Sequence, residues 1–263
     1  MRLYWELARR GYRRYAAYRA ATWAGVFTNV VFGFMLAYVM LAVYERRDDV
    51  GGYDVVDALT YVWISQSLLA AVWFMGWNEV GERIRTGDVA IDLARPAHPL
   101  WTGLAADLGR GCYHLLYRGL PPTLLGAFVF ELSAPRHPLV WLTFAVSVPL
   151  AICASYAFRV LYNLTAFWLL DNRGPRVFAT TAALFFSGFI VPIRFFPDWL
   201  EAVARATPFP SMLQIPVDIF VGKEQGVELA AALATQVAWT LALLGGAYGV
   251  YALGTRRLVV QGG

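Results

Sequence analysis

The chain has 263 residues, of which 59% are hydrophobic and only 15% charged, with a mean hydropathy of +0.50. Soluble domains average about 25% charged residues, so the composition argues against a freely soluble domain and for an all-α integral membrane protein. The net charge of +4 is carried almost wholly by arginine, with Lys223 the sole lysine. The arginines gather beside apolar runs, which points to lipid headgroups and away from nucleic acid.

No polar block is long enough to make a second domain, so residues 1–263 read as one transmembrane domain. Residues 1–19 are basic and aromatic, with Tyr4, Leu7, Tyr15 and Tyr18 on one helical face, and predict an interfacial helix. A cleaved signal peptide is not expected, because the following apolar run is too long and ends in Glu45-Arg46-Arg47-Asp48. Ala20 to Tyr44 is uncharged and long enough to cross a bilayer, and Ala58 to Trp77 reads as the second span.

Residues 78–100 follow as Asn-Glu-Val-Gly-Glu-Arg-Ile-Arg-Thr-Gly-Asp-Val-Ala-Ile-Asp-Leu-Ala-Arg-Pro-Ala-His-Pro-Leu, a charge-rich stretch between two apolar runs. Glu79 and Arg83 stand four apart, the favourable helical order, beside an apolar stripe of Val80 and Ile84. Gly87 suits a helix C-cap, Asp88 the N-cap of a second short helix over Val89 to Leu93, and Pro96 a stop. Two short charged helices on an embedded protein suggest a docking surface, with Glu79, Glu82, Arg83, Arg85 and Asp88 as its contact residues. A solvated loop is the plainer alternative.

Leu104 to Leu132 holds Asp107, Arg110, His114 and Arg118 and is interrupted by Pro121-Pro122, so a third span must hold Arg118 at depth or kink around it. Leu139 to Leu170 carries only Arg159, and as one straight helix it measures about 48 Å against a hydrocarbon core of about 30 Å, which predicts a bend near Pro149 or an interfacial first part. Asp171 to Arg176 reads as a tight turn, and Val177 to Val191 as a short apolar segment. The prolines at 192, 197, 208, 210 and 216 then suit re-entrant pieces over residues 192–225, with Asp198 capping a helix from Trp199 to Ala206. Gly226 to Leu253 is the last span. With the N-terminus placed inside, 14 arginines flank the inner ends and six arginines or lysines the outer ends. This asymmetry predicts six spans with both termini cytoplasmic, residues 78–100 inside and 192–225 outside.

Ser187-Gly188, Pro192, Phe196-Pro197 with Trp199-Leu200, then Pro208-Phe209, Pro216-Val217 and Phe220-Val221-Gly222, resemble the hallmark of ABC-2 type permeases. Ala166-Phe167-Trp168, Arg83 to Asp88 and Arg95-Pro96 are similar to the smaller branch of that family, which has no large extracellular domain. The resemblance implies an N-terminal elbow helix, a coupling helix between spans two and three, and re-entrant helices before span six. It also implies a bacterial plasma-membrane location and a pair of permeases, the second a twin or a paralogue, working with two separate ATPase subunits that carry the ATP and magnesium. The family exports drugs, lipids and polysaccharides. With no carbohydrate-binding module, this chain resembles an exporter of a small amphipathic, drug-like molecule. A lipid or polysaccharide exporter and a non-transporting scaffold subunit are the alternatives.

The residues speak to part of this on their own. A P-loop needs Gly-x-x-x-x-Gly-Lys-Ser/Thr, and the only lysine, Lys223, is followed by Glu224, so the chain has no such motif of its own and no bound cofactor is expected. His98, His114 and His137 lie in separate segments without metal-ligand spacing, and Cys112 and Cys153 read as buried small hydrophobes. Trp63, Trp73, Phe74, Phe167 and Trp168 either line a path for an aromatic or cationic substrate or serve as packing and lipid-facing belts. Arg118 and Arg159 fall near mid-depth with no acid assigned there. Backbone carbonyls, Ser155 or Asn163 would then satisfy them, or one of them faces a hydrated cavity with an anionic group. The candidate translocation residues are therefore Arg118, Arg159, Asn163, Phe167 and Trp168.

Overall fold

The computed structural model describes residues 2–75, 79–169 and 172–257, without the side chain of Glu79. Asn78 and Asp171, which bound two of the predicted segments, lie outside the described residues. The described residues are mostly helical: α1 (Arg2–Ala16), α2 (Arg19–Tyr44), α3 (Val55–Val72), α4 (Glu79–Thr86), α5 (Val89–Leu93), α6 (Pro99–His114), α7 (Leu120–Val129), α8 (Pro138–Leu164), α9 (Arg173–Phe186), α10 (Asp198–Arg205), α11 (Gln214–Val221) and α12 (Gly226–Thr255). Four helices are long and apolar enough to cross a membrane: α2, α3, α8 with its 3-10 extension to Phe167, and α12.

A helix that is apolar all round has no solvent face to spare and ends up enclosed by others. α3 is that helix here. From Ala58 to Val72 every residue except Leu69 is buried. α2 buries only a stripe, Gly25, Val26, Asn29, Gly33, Ala37, Met40 and Tyr44, and exposes Trp23, Phe27, Phe32, Met35 and Tyr38. α12 likewise buries Gln236, Thr240, Leu243, Ala247 and Tyr251 against α8 and leaves its other side open.

The third apolar stretch is continuous from Pro99 to Val129, because a π turn, Leu115–Gly119, joins α6 to α7. The amide of Leu120 reaches back five residues to the Leu115 carbonyl. Pro121 and Pro122 have no N–H to continue the ordinary ladder, and the wider turn directly before them absorbs the mismatch instead of breaking the helix. Arg118 sits in this turn.

α1 does more than lie on a surface. It packs along α6, where a Cβ on Gly11 would stand 2.1 Å from the Ala106 carbonyl oxygen and one on Gly109 would stand 1.8 Å from that of Ala8. Glycine at both crossings lets the two backbones touch. Tyr15 and Tyr12 then close edge-on to His114 and Tyr113 at 4.8 and 5.4 Å, so only Tyr4 and Tyr18 of the predicted surface face stay exposed.

Several local expectations are corrected. α3 stops at Val72, five residues short of Trp77. Arg173 to Arg176 form the first turn of α9 and not a loop. Asp198 lies in the first turn of α10, where a carboxylate still favours the helix dipole, but Pro197 precedes the helix and no side chain caps it. Cys112 is exposed and Cys153 half-buried, since residue 112 falls on the outer side of α6.

Opposite α1, the pieces between α9 and α12 are pinned to the start of α3. Asp218 is fully buried and accepts from the Tyr53 hydroxyl, Gln214 Nε2 (2.9 Å) and Arg194 Nε (3.3 Å). Arg194 also holds Glu224 at 2.9 Å, and Lys223 pairs with Asp57. Burial alone would pull the Arg194 guanidinium down. The Asp218 carboxylate outweighs it and raises the group further.

Candidate functional site

The end of the bundle that carries α1 is organised by the break after α3. Trp73 adopts the left-handed conformation (φ 42), which stops the helix and turns the chain toward α4. A helix that ends inside a protein leaves its last carbonyls without partners. Here the bundle supplies each one. The Leu69 carbonyl takes the Trp73 amide, Ala70 and Ala71 take Arg110 at 2.9 and 2.8 Å, and Val72 takes the Ser155 hydroxyl. Tyr162 adds a bond to the Phe74 carbonyl at 3.2 Å.

Arg110 can serve that end because Asp107 orients it. The Asp107 carboxylate accepts Arg110 Nε at 2.7 Å and Arg159 Nη2 at 2.6 Å, and all three side chains are 8% exposed. This corrects the expectation that no acid reaches Arg159. Asp107 stands three residues before Arg110 on α6, and that helix packs against α3 and α8 so that one carboxylate meets both guanidiniums. Neither Ser155 nor Asn163 satisfies Arg159. Ser155 is bonded to Val72, and the Asn163 amide donates to the Arg159 carbonyl at 2.7 Å.

α4 and α5 are anchored on one face and open on the other. Val80, Ile84 and Val89 are buried against Tyr156, Val160, Leu164 and Tyr251. Gly87 ends α4 with φ +81, as its sequence position predicts. Asp88 does not cap α5. It has helical backbone angles, makes no side-chain cap bond, and accepts instead from the Thr86 hydroxyl at 2.9 Å. Arg83 bonds Asp92, with Nη2 to Oδ1 at 2.8 Å, and Arg95 approaches the same carboxylate at 3.4 Å. Glu82 and Arg85 form an exposed pair at 3.6 Å. Beside them Ile91 and Leu93 project 56% and 50% exposed. A solvated loop gains nothing from such apolar exposure, whereas a docking surface does. Sequence reasoning missed Ile91, Leu93 and Asp92. The signal was available, since positions 91 and 93 fall off the helical stripe of Val80, Ile84 and Val89.

Between α1, α4, α5, α6, α8 and α12 lies a cavity of about 670 Å³. Its wall carries Arg14, Arg83, Arg95, Arg110 and Arg159 against Asp92 and Asp107. Of the predicted path residues only Arg159 lines it. Asn163 lies behind it, next to Gly81. Phe167 packs on Tyr251 at 6.0 Å and against Gly254, and Trp168 is 41% exposed. Arg118 is on the far side of α6, half-buried against Gly25 of α2, with its Nε unbonded among the described residues. The structure therefore does not gather the five into one path. Trp63 and Phe74 are wholly buried packing residues, while Trp73 lines the cavity. No group of three metal-ligating side chains occurs among the described residues.

No curated protein matches this chain in sequence. The sequence profile of a family described as "ABC-2 family transporter protein" matches residues 27–262, nearly the whole chain. With helices fit to span a membrane and a charged, partly apolar segment held proud of the bundle, this match identifies the chain as a member of the ABC-2 transporter family, the membrane-embedded permease component of an ABC transporter.

Proposed function

We propose that this chain is an exporter permease that works with two separate ATPase subunits and a second permease copy or paralogue. The observation that carries the reading is the two-faced segment of α4 and α5. Val80, Ile84 and Val89 fix it to α8 and α12, while Ile91 and Leu93, flanked by Glu82, Arg85, Asp88 and Arg95, face outward. Motion of a docked ATPase would pass through this anchored segment into α8 and, through Arg110, into the end of α3. In this reading residues 99–129 and the segment from α9 onward serve as the third and fifth of six spans. In the same reading both termini and α4–α5 lie on the cytoplasmic side of a bacterial plasma membrane, which the excess of arginine at the α1 end supports for the orientation.

The exposed aromatic face of α2, with Trp23, Phe27, Phe32 and Tyr38, supports a path between two permeases that suits a small amphipathic molecule. The test is purification of the membrane complex. Two permeases and two ATPase chains are expected by native mass measurement, with ATP turnover raised by the exported compound. A lone, active permease, or an ATPase indifferent to it, rejects the proposal.

A further inference from the structure

Among the described residues, the cavity at the α1 end is lined by more arginines than acids. Arg110 and Arg159 share one carboxylate, Asp107, and all three side chains are 8% exposed, so a net positive charge is buried in the wall. A buried charge without compensation is costly, and proteins that keep one pair it or present it to a ligand. The donor count gives the direction. Arg110 is committed to Asp107 and to the Ala70 and Ala71 carbonyls. Arg159 gives Nη2 to Asp107, yet its Nε is buried with no acceptor among the described residues. The hydroxyl of Tyr251, across the same cavity, is likewise buried and unbonded. Both donors thus belong to side chains that line one cavity of about 670 Å³, in a wall with more arginines than acids among the described residues.

We propose that this cavity binds a phosphate-bearing anion, toward whose oxygens Arg159 and Tyr251 turn their unpaired donors when it enters. Guanidinium groups from several elements match a tetrahedral oxyanion better than a planar carboxylate, whose recognition one bidentate arginine completes. The volume exceeds what a bare phosphate fills, and Leu3, Leu7, Trp73 and Val80 line the rest with apolar surface. The anion therefore carries further groups, as a phospholipid headgroup with the start of its chains does. The amphipathic α1 at the rim would place the opening at headgroup depth. A water-soluble phosphate compound offers the same chemistry. The site lies within one chain, so it goes beyond the transport reading and holds whether or not an ATPase docks on α4 and α5.

The test uses the full-length chain in nanodiscs of phosphatidylcholine alone, of phosphatidylcholine with phosphatidylglycerol, and of phosphatidylcholine with palmitate. Retained lipid is read by native mass spectrometry, and inorganic phosphate is titrated against thermal stability. Selective retention of phosphatidylglycerol supports a lipid phosphate. Stabilisation by inorganic phosphate alone supports a soluble source. Arg159→Gln should weaken the bound species about tenfold or more and Tyr251→Phe a few-fold, while Arg205→Gln at the opposite end changes nothing. Tyr251→Phe keeps the ring packing and decides the matter if Arg159→Gln fails to fold. Retention of phosphatidylcholine, phosphatidylglycerol and palmitate alike with no response to phosphate overturns the inference, as does unchanged binding in both variants. Because no ATPase is present, loss of coupling in the full complex leaves this outcome untouched.

Discussion

Asp107 is the side chain whose loss should be felt most widely. It accepts from Arg110 at 2.7 and 3.2 Å and from Arg159 at 2.6 Å, at 8% exposure, and so holds two buried guanidiniums together. Asp107→Asn keeps the shape and removes the charge, leaving two like charges with no carboxylate. Removing one partner of a buried ion pair costs about 3–5 kcal/mol, mostly from the charge left behind. On the scale of soluble chains of similar size, about 2–4 °C per kcal/mol, the unfolding midpoint should fall by about 6–20 °C. Arg159→Gln leaves Asp107 and Arg110 as a neutral pair and should cost about 1–3 kcal/mol. The double variant should be more stable than Asp107→Asn alone, because one orphaned charge is gone. Thermal unfolding of the purified protein, followed by tryptophan fluorescence, gives all three values. If Asp107→Asn unfolds no earlier than Arg159→Gln, the shared-carboxylate account is wrong.

Glu82→Lys with Arg85→Glu, and separately Leu93→Asp, should leave the midpoint within about 0.5 kcal/mol of the native chain, as surface changes do, while cutting ATPase association several-fold; normal association reduces the segment to a solvated loop. His98 accepts the Leu100 amide at 3.3 Å through its ring and is held below its ordinary value by burial. A depressed histidine contributes stability above pH 6.5 that is lost as pH falls through its folded value, so the unfolding midpoint should decline below pH 6.5 and His98→Asn should flatten that decline. Arg118→Gln removes a half-buried cation whose Nε has no partner among the described residues, so folded yield should hold or rise; a collapse in yield would mean that Arg118 is structural.

Apolar run lengths made the long helices legible, since a span needs about 20 residues and little else. The cap at Gly87 followed from local turn chemistry, whereas α5 begins where expected without the Asp88 cap that the sequence suggested. What failed was partnership across the bundle. Asp107 and Arg159 are 52 residues apart, and nothing local to either reveals that α6 and α8 bring them together. The end of α3 was missed for a related reason. Its last carbonyls are satisfied by Arg110 and Ser155 from other helices, and the left-handed turn that ends it falls on Trp73, a residue type that gives no local sign of one. The pairing of Arg83 with Glu79 lies outside the described residues, but spacing gave no sign of its bond to Asp92, which forms because the chain folds back at Gly87. The aromatic residues were ambiguous because a buried tryptophan such as Trp63 and an exposed one such as Trp23 have the same local sequence character.

The most direct measurement of the central claim is site-directed crosslinking from the outward face of α5. A photo-reactive residue at position 91, in the chain expressed with its ATPase, should yield a covalent adduct with the ATPase subunit. The same residue at position 203, on α10 at the opposite end, should yield none. An adduct from position 203 and none from position 91 would contradict the account.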